Sequence, residues 1–138
     1  MKAIGIQIKS NEAILVVLEI NNAGIIIQTN ESTKFDIYDP SKPNQVRQFH
    51  DQINSAFDSI APSQIGVMAR NAKAKGQRAP SAFSFKLEGI IQLYEKCDIE
   101  LIWPQSIAAF YKKNPRLQQP RNKYQQDAFD VAFYLLKR

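Results

Sequence analysis

The sequence is poor in the residues that build disulfides and zinc sites. It contains one cysteine, Cys97, and one histidine, His50, which excludes an internal disulfide and a site of several histidine or cysteine ligands. A lone thiol fits a reducing compartment. Long apolar runs are also missing, because the stretches 13–18 and 24–27 are far shorter than the roughly 20 residues that a membrane-spanning helix needs.

Signals for export and for several common enzyme classes are missing too. The first residues lead directly into a strand pattern, without the charged, apolar and small-residue segments of a secretory signal. No glycine-rich phosphate loop, serine nucleophile elbow or dinucleotide-binding fingerprint occurs in the sequence. We therefore expect a soluble cytoplasmic protein with no membrane partner.

The net charge of +5 is unevenly placed along the chain. Residues 1–69 hold five Lys/Arg and seven Asp/Glu, residues 70–123 hold eleven Lys/Arg and four Asp/Glu, and residues 124–138 are balanced. A regional excess of positive charge attracts polyanions through phosphate contacts and counterion release, so nucleic acid is the first partner class to consider. A docking surface for an acidic protein and a merely solvated basic face are the alternatives.

Hydrophobic periodicity predicts a meander of strands and then alternating helices and strands. Residues 3–9, 13–20 and 25–27 are separated by short turn signals, which predicts three antiparallel strands. After a break at Pro40 and Pro43, apolar residues at spacings of three and four predict the first helix: Val46, Phe49, Ile53, Phe57 and Ile60.

The second part of the chain alternates regularly. Further strands are predicted at 65–68 and 99–103, and further helices over 81–96, after Pro104 and near the end of the chain. Because helices separate these strands, the strands should be parallel. We predict one α/β domain over residues 1–138, with a five-stranded mixed sheet flanked by helices, antiparallel in strands 1–3 and parallel in the later strands.

Three segments of the chain carry a family resemblance. Residues 3–13 look like a first strand with its hairpin turn, residues 65–70 and the basic loop after them like a fourth strand, and residues 123–132, with Asp127-Ala128-Phe129-Asp130, like a closing helix. Together they resemble the RNase H-like superfamily and, within it, the RuvC-type resolvases. Residues 81–88, 99–104 and 112–115 further resemble a small, uncharacterised bacterial branch of this superfamily.

The resemblance implies a particular chemistry and shows where this sequence departs from it. Active members hold two Mg²⁺ or Mn²⁺ ions about 4 Å apart on carboxylates and hydrolyse phosphodiester bonds. The strand 1 acid is replaced by Gln7, and the strand 4 acid by Ala69. Asp127 and Asp130, on one face of the closing helix, remain as candidate catalytic residues and metal ligands.

The substitutions lead to three hypotheses. The first is a catalytically impaired RNase H/RuvC-like domain that requires no cofactor and binds nucleic acid or scaffolds a protein complex. The second is an active Mg²⁺- or Mn²⁺-dependent nuclease in which Asp127, Asp130 and Gln7 are joined by Glu12, Glu88 or acids of a partner. The third is a structural interaction subunit, for which the two aspartates only complement a helix N-terminus.

Two basic clusters are the candidate nucleic-acid-binding residues. One directly follows the strand end at which substrate binds in this fold, and the other leads into the closing helix beside Tyr111 and Tyr124, whose rings offer stacking surfaces. An acidic protein partner is the alternative, and the apolar helices leave room for a homodimer. The members are Arg70, Lys73, Lys75 and Arg78 in the first cluster, and Lys112, Lys113, Arg116, Arg121 and Lys123 in the second.

Overall fold

The computed structural model describes residues 1–71, 73–76 and 80–138, and Arg78 lies outside them. Six strands form a mixed sheet: β1 (Lys2–Lys9), β2 (Glu12–Ile20), β3 (Ile26–Gln28), β4 (Thr33–Asp36), β5 (Gln64–Met68) and β6 (Ile99–Ile102). Four α-helices flank it: α1 (Pro43–Ile60), α2 (Ala82–Ile91), α3 (Pro104–Lys113) and α4 (Gln126–Lys137), the last entered through a 3-10 turn at Lys123–Gln125.

The sheet has the predicted mixture of strand directions. Its order is β3-β2-β1-β5-β6, with β4 also paired to β2. β1 is antiparallel to β2, whereas β5 is parallel to both β1 and β6. The fold class is therefore confirmed.

The count of five strands was one short. β4 is four residues long, and it alternates exposed Lys34 and Asp36 with the half-buried Phe35. A short edge strand with so little apolar surface has no distinctive hydrophobic pattern, and it forms because its backbone groups complete the ladder of β2. The second helix is also shorter than the predicted 81–96, ending at Ile91.

The two faces of β1 belong to two layers of the core. Ile4, Ile6 and Ile8 point to the layer of α1 and α2, where they pack with Phe49 and Phe57. The alternate positions of β1 face α4, because side chains along a strand alternate in direction. On this side of the sheet, the buried residues of α4 also pack against β2; they include Ala128, Phe129, Ala132 and Phe133.

Glycine in β1 lets α4 lie directly on the sheet. A Cβ atom at Gly5 would stand 1.9 Å from the Ala128 carbonyl oxygen and 2.6 Å from the Ala132 backbone nitrogen. Gly66, the partner of Gly5 in β5, lies under the Val131 and Leu135 side chains of α4. This close approach places the first turn of α4 beside the end of β1.

In the described part of the chain, no helix combines the length and the hydropathy that crossing a membrane requires.

Candidate nucleic-acid interface and residual acidic site

Two of the predicted site residues, Gln7 and Asp127, meet where the C-terminal end of β1 lies beside the N-terminal end of α4. The Gln7 side-chain amide donates a hydrogen bond of 2.9 Å to Asp127 Oδ2. Gln7 is half-buried, whereas Asp127 is exposed at the helix N-terminus. Incomplete hydration of the carboxyl and the negative charge of Asp130 raise the pKa of Asp127, while Lys9 and Arg116 partly offset the rise.

Asp130 lies in a different environment, although it is only one helical turn from Asp127. It is 6% exposed, and its Oδ1 accepts hydrogen bonds from Arg116, from Gln126 Nε2 at 2.8 Å and from the Tyr111 hydroxyl at 3.3 Å. The Arg116 guanidinium also lies over the Tyr111 ring, 3.9 Å from its centre. Arg116 is therefore the counter-ion of Asp130.

The end of β5 carries a cation where the resemblance implies a carboxylate. Ala69 is buried, and its backbone amide donates to the Ile102 carbonyl at 2.8 Å. Arg70 turns inward, donates to Ser84 and to Glu88 Oε1 at 3.1 Å, and lies 4.3 Å from the Phe85 ring centre. Glu88 is therefore the ion-pair partner of Arg70 and is not free to take the place of a metal-binding acid.

These side chains are a poor set of ligands for divalent metal ions. Mg²⁺ and Mn²⁺ require several oxygen ligands, usually with carboxylates among them. Within residues 1–71, 73–76 and 80–138, no group of three or more His, Cys, Asp or Glu side chains could hold a metal ion together. Glu12 does line the same groove as Gln7 and Asp127, but Lys9 lines it as well. The residues present do not fit the two-metal centre that the resemblance implies.

The comparisons with known proteins agree with the fold. A family model described as "Protein of unknown function (DUF3010)" matches residues 1–135. The chain belongs to the DUF3010 family. No curated protein matches the sequence significantly.

Solved structures of Holliday junction resolvases resemble this DUF3010 protein. RuvC of Thermus thermophilus in complex with Holliday junction substrate has a TM-score of 0.69 at 14% identity, over 96% of this chain and 90% of RuvC. The fowlpox virus resolvase, in complex with Holliday junction DNA, has a TM-score of 0.54 at 14% identity, over 99% and 97%. The yeast mitochondrial resolvase Ydc2 has a TM-score of 0.57 at 10% identity, and the match covers 85% of this chain and 56% of Ydc2. The RuvC-type, RNase H-like fold is thus confirmed.

The predicted basic residues of the DUF3010 protein divide into two groups. The described arginines are held by the protein itself: Arg70 by Glu88, Arg116 by Asp130, and Arg121 by Asn30 and the Gln28 carbonyl, both at 2.7 Å. The described lysines are exposed: Lys73, Lys75, Lys112, Lys113 and Lys123. The division follows side-chain chemistry, because the planar guanidinium makes several fixed hydrogen bonds whereas an ammonium group stays hydrated.

Sequence reasoning missed two lysines at the site. Lys9 and Lys34 line a groove with Lys123, Tyr124 and Asp127, although neither belongs to a basic cluster of the sequence. Strand pairing brings them there, because Gln7 pairs with Ile14 and Ile14 with Lys34. The alternation of β1 and β2 was a usable signal for Lys9. Lys34 required the unpredicted strand β4.

Proposed function

We propose that this DUF3010 protein binds nucleic acid through its exposed lysines and does not hydrolyse phosphodiester bonds by itself. The observation that carries the proposal is the loss of free carboxylates at the site, where neutral Gln7 and Ala69 stand at two positions for which the resemblance implies acids. Arg116 neutralises Asp130, Arg70 follows Ala69 at the end of β5, and Lys9 stands beside Asp127. A site with so few free carboxylates does not suit divalent cations, whereas the exposed lysines of the chain suit a polyanion.

The fold supports nucleic acid as the partner class. RuvC of Thermus thermophilus and the fowlpox virus resolvase have the same fold and were solved with Holliday junction substrates. Identity of 14% transfers the architecture and not the activity, so the partner class rests on the lysines of this chain as well. Their ammonium groups suit contacts to phosphates, which are strong at low salt and independent of sequence.

A metal-dependent nuclease completed by another molecule is the second candidate. It is favoured by the groove that Gln7, Glu12 and Asp127 line together, since two carboxylates and an amide oxygen there could form part of the ligand set of a metal ion. In that case a partner or the substrate would supply the missing ligands. This candidate predicts Mn²⁺-dependent cleavage that Asp127→Asn removes.

Fluorescence anisotropy in EDTA tests the binding proposal. Labelled four-way junction, duplex and single-stranded DNA are titrated with the wild type and with two variants, Lys73→Ala/Lys75→Ala and Lys112→Ala/Lys113→Ala. We expect both variants to bind more weakly. The slope of log affinity against log salt concentration should fall by about 1 for each phosphate that a lysine no longer neutralises.

The matched control removes two lysines from the opposite end of the sheet. Lys96 lies beside Gln64, where β5 begins, and Lys137 is in the last turn of α4. The Lys96→Ala/Lys137→Ala variant has the same net charge as either test variant and so controls for overall charge, and thermal unfolding checks that the loss of the 3.0 Å Lys96–Asp58 ion pair leaves the domain folded. Equal weakening in control and test variants, or no binding by the wild type to any probe, would contradict the proposed surface.

A further inference from the structure

A groove beside the Gln7–Asp127 pair combines an aromatic side chain with several lysines. The groove, here called the Tyr124 groove, has a cavity volume of about 430 Å³. This lies in the range of about 300–1,000 Å³ that is usual for small-ligand sites. Its lining comes from β1, β2, β4, the 3-10 turn before α4 and the first turn of α4.

The register of three strands builds the floor of the Tyr124 groove. Gln7 in β1 pairs with Ile14 in β2, and Ile14 pairs with Lys34 in β4. Paired residues of neighbouring strands point to the same face, so these side chains form a row that runs from polar through apolar to cationic. Lys9, Glu12 and Asp36 form the next row toward the hairpin. The floor is therefore fixed by backbone hydrogen bonds and does not depend on a loop.

Tyr124 supplies an aromatic wall. It lies in the 3-10 turn before α4 and is 49% exposed, whereas Phe129 and Phe133 of α4 are buried. Lys34 Nζ lies over one face of the Tyr124 ring, 4.9 Å from its centre, so a base that stacks on this ring uses the other face or displaces Lys34. An exposed ring held beside ammonium groups is the combination with which proteins bind single strands, because bases stack on the ring while cations follow the phosphates.

The charges around the ring suit a nucleotide rather than a neutral ligand. Lys9, Lys34 and Lys123 line the groove together with Glu12 and Asp127, so three ammonium groups are available to the phosphates of a nucleotide. The Gln7 and Gln126 amide nitrogens already donate to Asp127 and Asp130, so each side chain offers its oxygen and its second N–H to the edge of a base. A base inside a duplex is stacked on both faces, and only an unpaired base can offer a face to the ring.

We propose that the Tyr124 groove binds one unpaired nucleotide of a nucleic-acid strand. The base stacks on Tyr124, and the flanking phosphates contact Lys9, Lys34 and Lys123. This inference rests on the proposed nucleic-acid function and narrows its ligand to strands with unpaired bases, such as single strands, gaps and open junctions.

A stacking assay with matched tyrosine variants tests the inference. Labelled oligothymidine and a duplex of the same length are titrated in EDTA with the wild type, Tyr124→Ala, Tyr124→Phe and Tyr38→Ala. Tyr38 is 93% exposed and lies outside the groove, so its replacement controls for removal of a surface ring. Thermal unfolding of each variant confirms that the domain is intact.

The expected result is specific to one ring and one type of strand. Tyr124→Ala weakens oligothymidine binding about tenfold, Tyr124→Phe keeps it because the ring remains, and Tyr38→Ala leaves it unchanged. Duplex binding stays the same in all variants. Quenching of a 2-aminopurine base in the strand, present with the wild type, is lost in Tyr124→Ala.

Two outcomes contradict the inference and are distinguishable. If both probes bind and Tyr124→Ala has no effect on the oligothymidine affinity or the 2-aminopurine signal, the Tyr124 groove is refuted and the proposed function stands. If neither probe binds to the wild type, the proposed function fails and the groove proposal fails with it.

Discussion

Asp127 and Asp130 show how far two acids of one motif can differ. Asp130 is buried and accepts hydrogen bonds from Arg116, Gln126 and Tyr111. The burial of Tyr111 and the negative charge of Asp130 raise the pKa of the Tyr111 hydroxyl, which therefore remains a donor. Asp127 is exposed and has one side-chain amide as its hydrogen-bond partner in the described part of the chain. One acid is held by a cation of the chain, and the other faces the groove.

The raised pKa of Asp127 predicts a pH dependence of stability. The folded state holds the proton more tightly than the unfolded state, so ionisation costs stability as pH rises from the ordinary value of 3.8 through the folded pKa. Asp127→Asn removes this cost and keeps an acceptor for Gln7. We expect the variant to be more stable than the wild type at pH 7, with the difference vanishing near pH 3, as measured by urea unfolding at several pH values. A wild type that gains on the variant as pH rises would contradict this assignment.

The Arg116–Asp130 pair predicts a decrease in stability when either charge is removed. Asp130→Asn should cost about 1–2 kcal/mol, below the usual range for buried pairs because the Arg116 side chain is 38% exposed. Arg116→Gln should cost a similar amount, and the double variant no more than either single variant, because the two residues share one interaction. Denaturant unfolding measures all three. Additive decreases would show that the two residues act independently.

The placement of α4 on the sheet depends on the absence of a side chain in β1. Gly5 lies against the backbone of α4 at Ala128. Both sides of this contact are main-chain atoms, which cannot move aside as the end of a flexible side chain can. The contact fixes the height and register of α4, and thus the position of Asp127 beside Gln7. A helix raised by the diameter of a methyl group would separate that pair.

Replacing this glycine should therefore affect both stability and the site. Gly5→Ala places a Cβ atom 1.9 Å from the Ala128 carbonyl oxygen, and overpacking of this kind costs about 1–3 kcal/mol or more. Gly89→Ala is the control, because its Cβ atom meets nothing within 4 Å in α2 and alanine is favoured in helices. We expect thermal unfolding to show a large decrease in stability for the first and a small gain for the second. Equal stability of Gly5→Ala and the wild type would contradict the close contact.

The elements that periodicity predicts are those with strong apolar faces. α1 was predicted from five apolar positions, and four of them are buried: Phe49, Ile53, Phe57 and Ile60. β4 escaped detection because its order comes from pairing with β2, which no local pattern records. For the same reason the Gly5 contact and Lys34 could not be read from the sequence, since both depend on residues that are distant along the chain.

The candidate site was predictable in its positions and not in its interactions. The resemblance pointed to Gln7, Ala69, Asp127 and Asp130 as site positions, and the structure joins two of them through the hydrogen bond from Gln7 to Asp127. The basic clusters were treated as uniform, but the described arginines proved to be internal partners of Glu88, Asp130 and Asn30. Composition counts charges without revealing which of them the protein neutralises itself.

For the whole molecule, the excess of positive charge over residues 70–123 now divides into a structural part and an exposed part. The exposed lysines and the Tyr124 groove lie on a RuvC-type fold. The charge and the internal counter-ions are the basis on which we propose binding without cleavage. Binding should weaken steeply with salt, because it depends on released counterions.

The most direct measurement incubates the wild type at saturating concentration with an end-labelled four-way junction and a single strand, in Mn²⁺ and in EDTA. Anisotropy is recorded first, and each sample is then run on a denaturing gel. We expect binding in both conditions and intact strands throughout. Cleavage in Mn²⁺ that EDTA and Asp127→Asn both abolish would contradict this expectation and would establish an active nuclease in spite of Gln7 and Ala69.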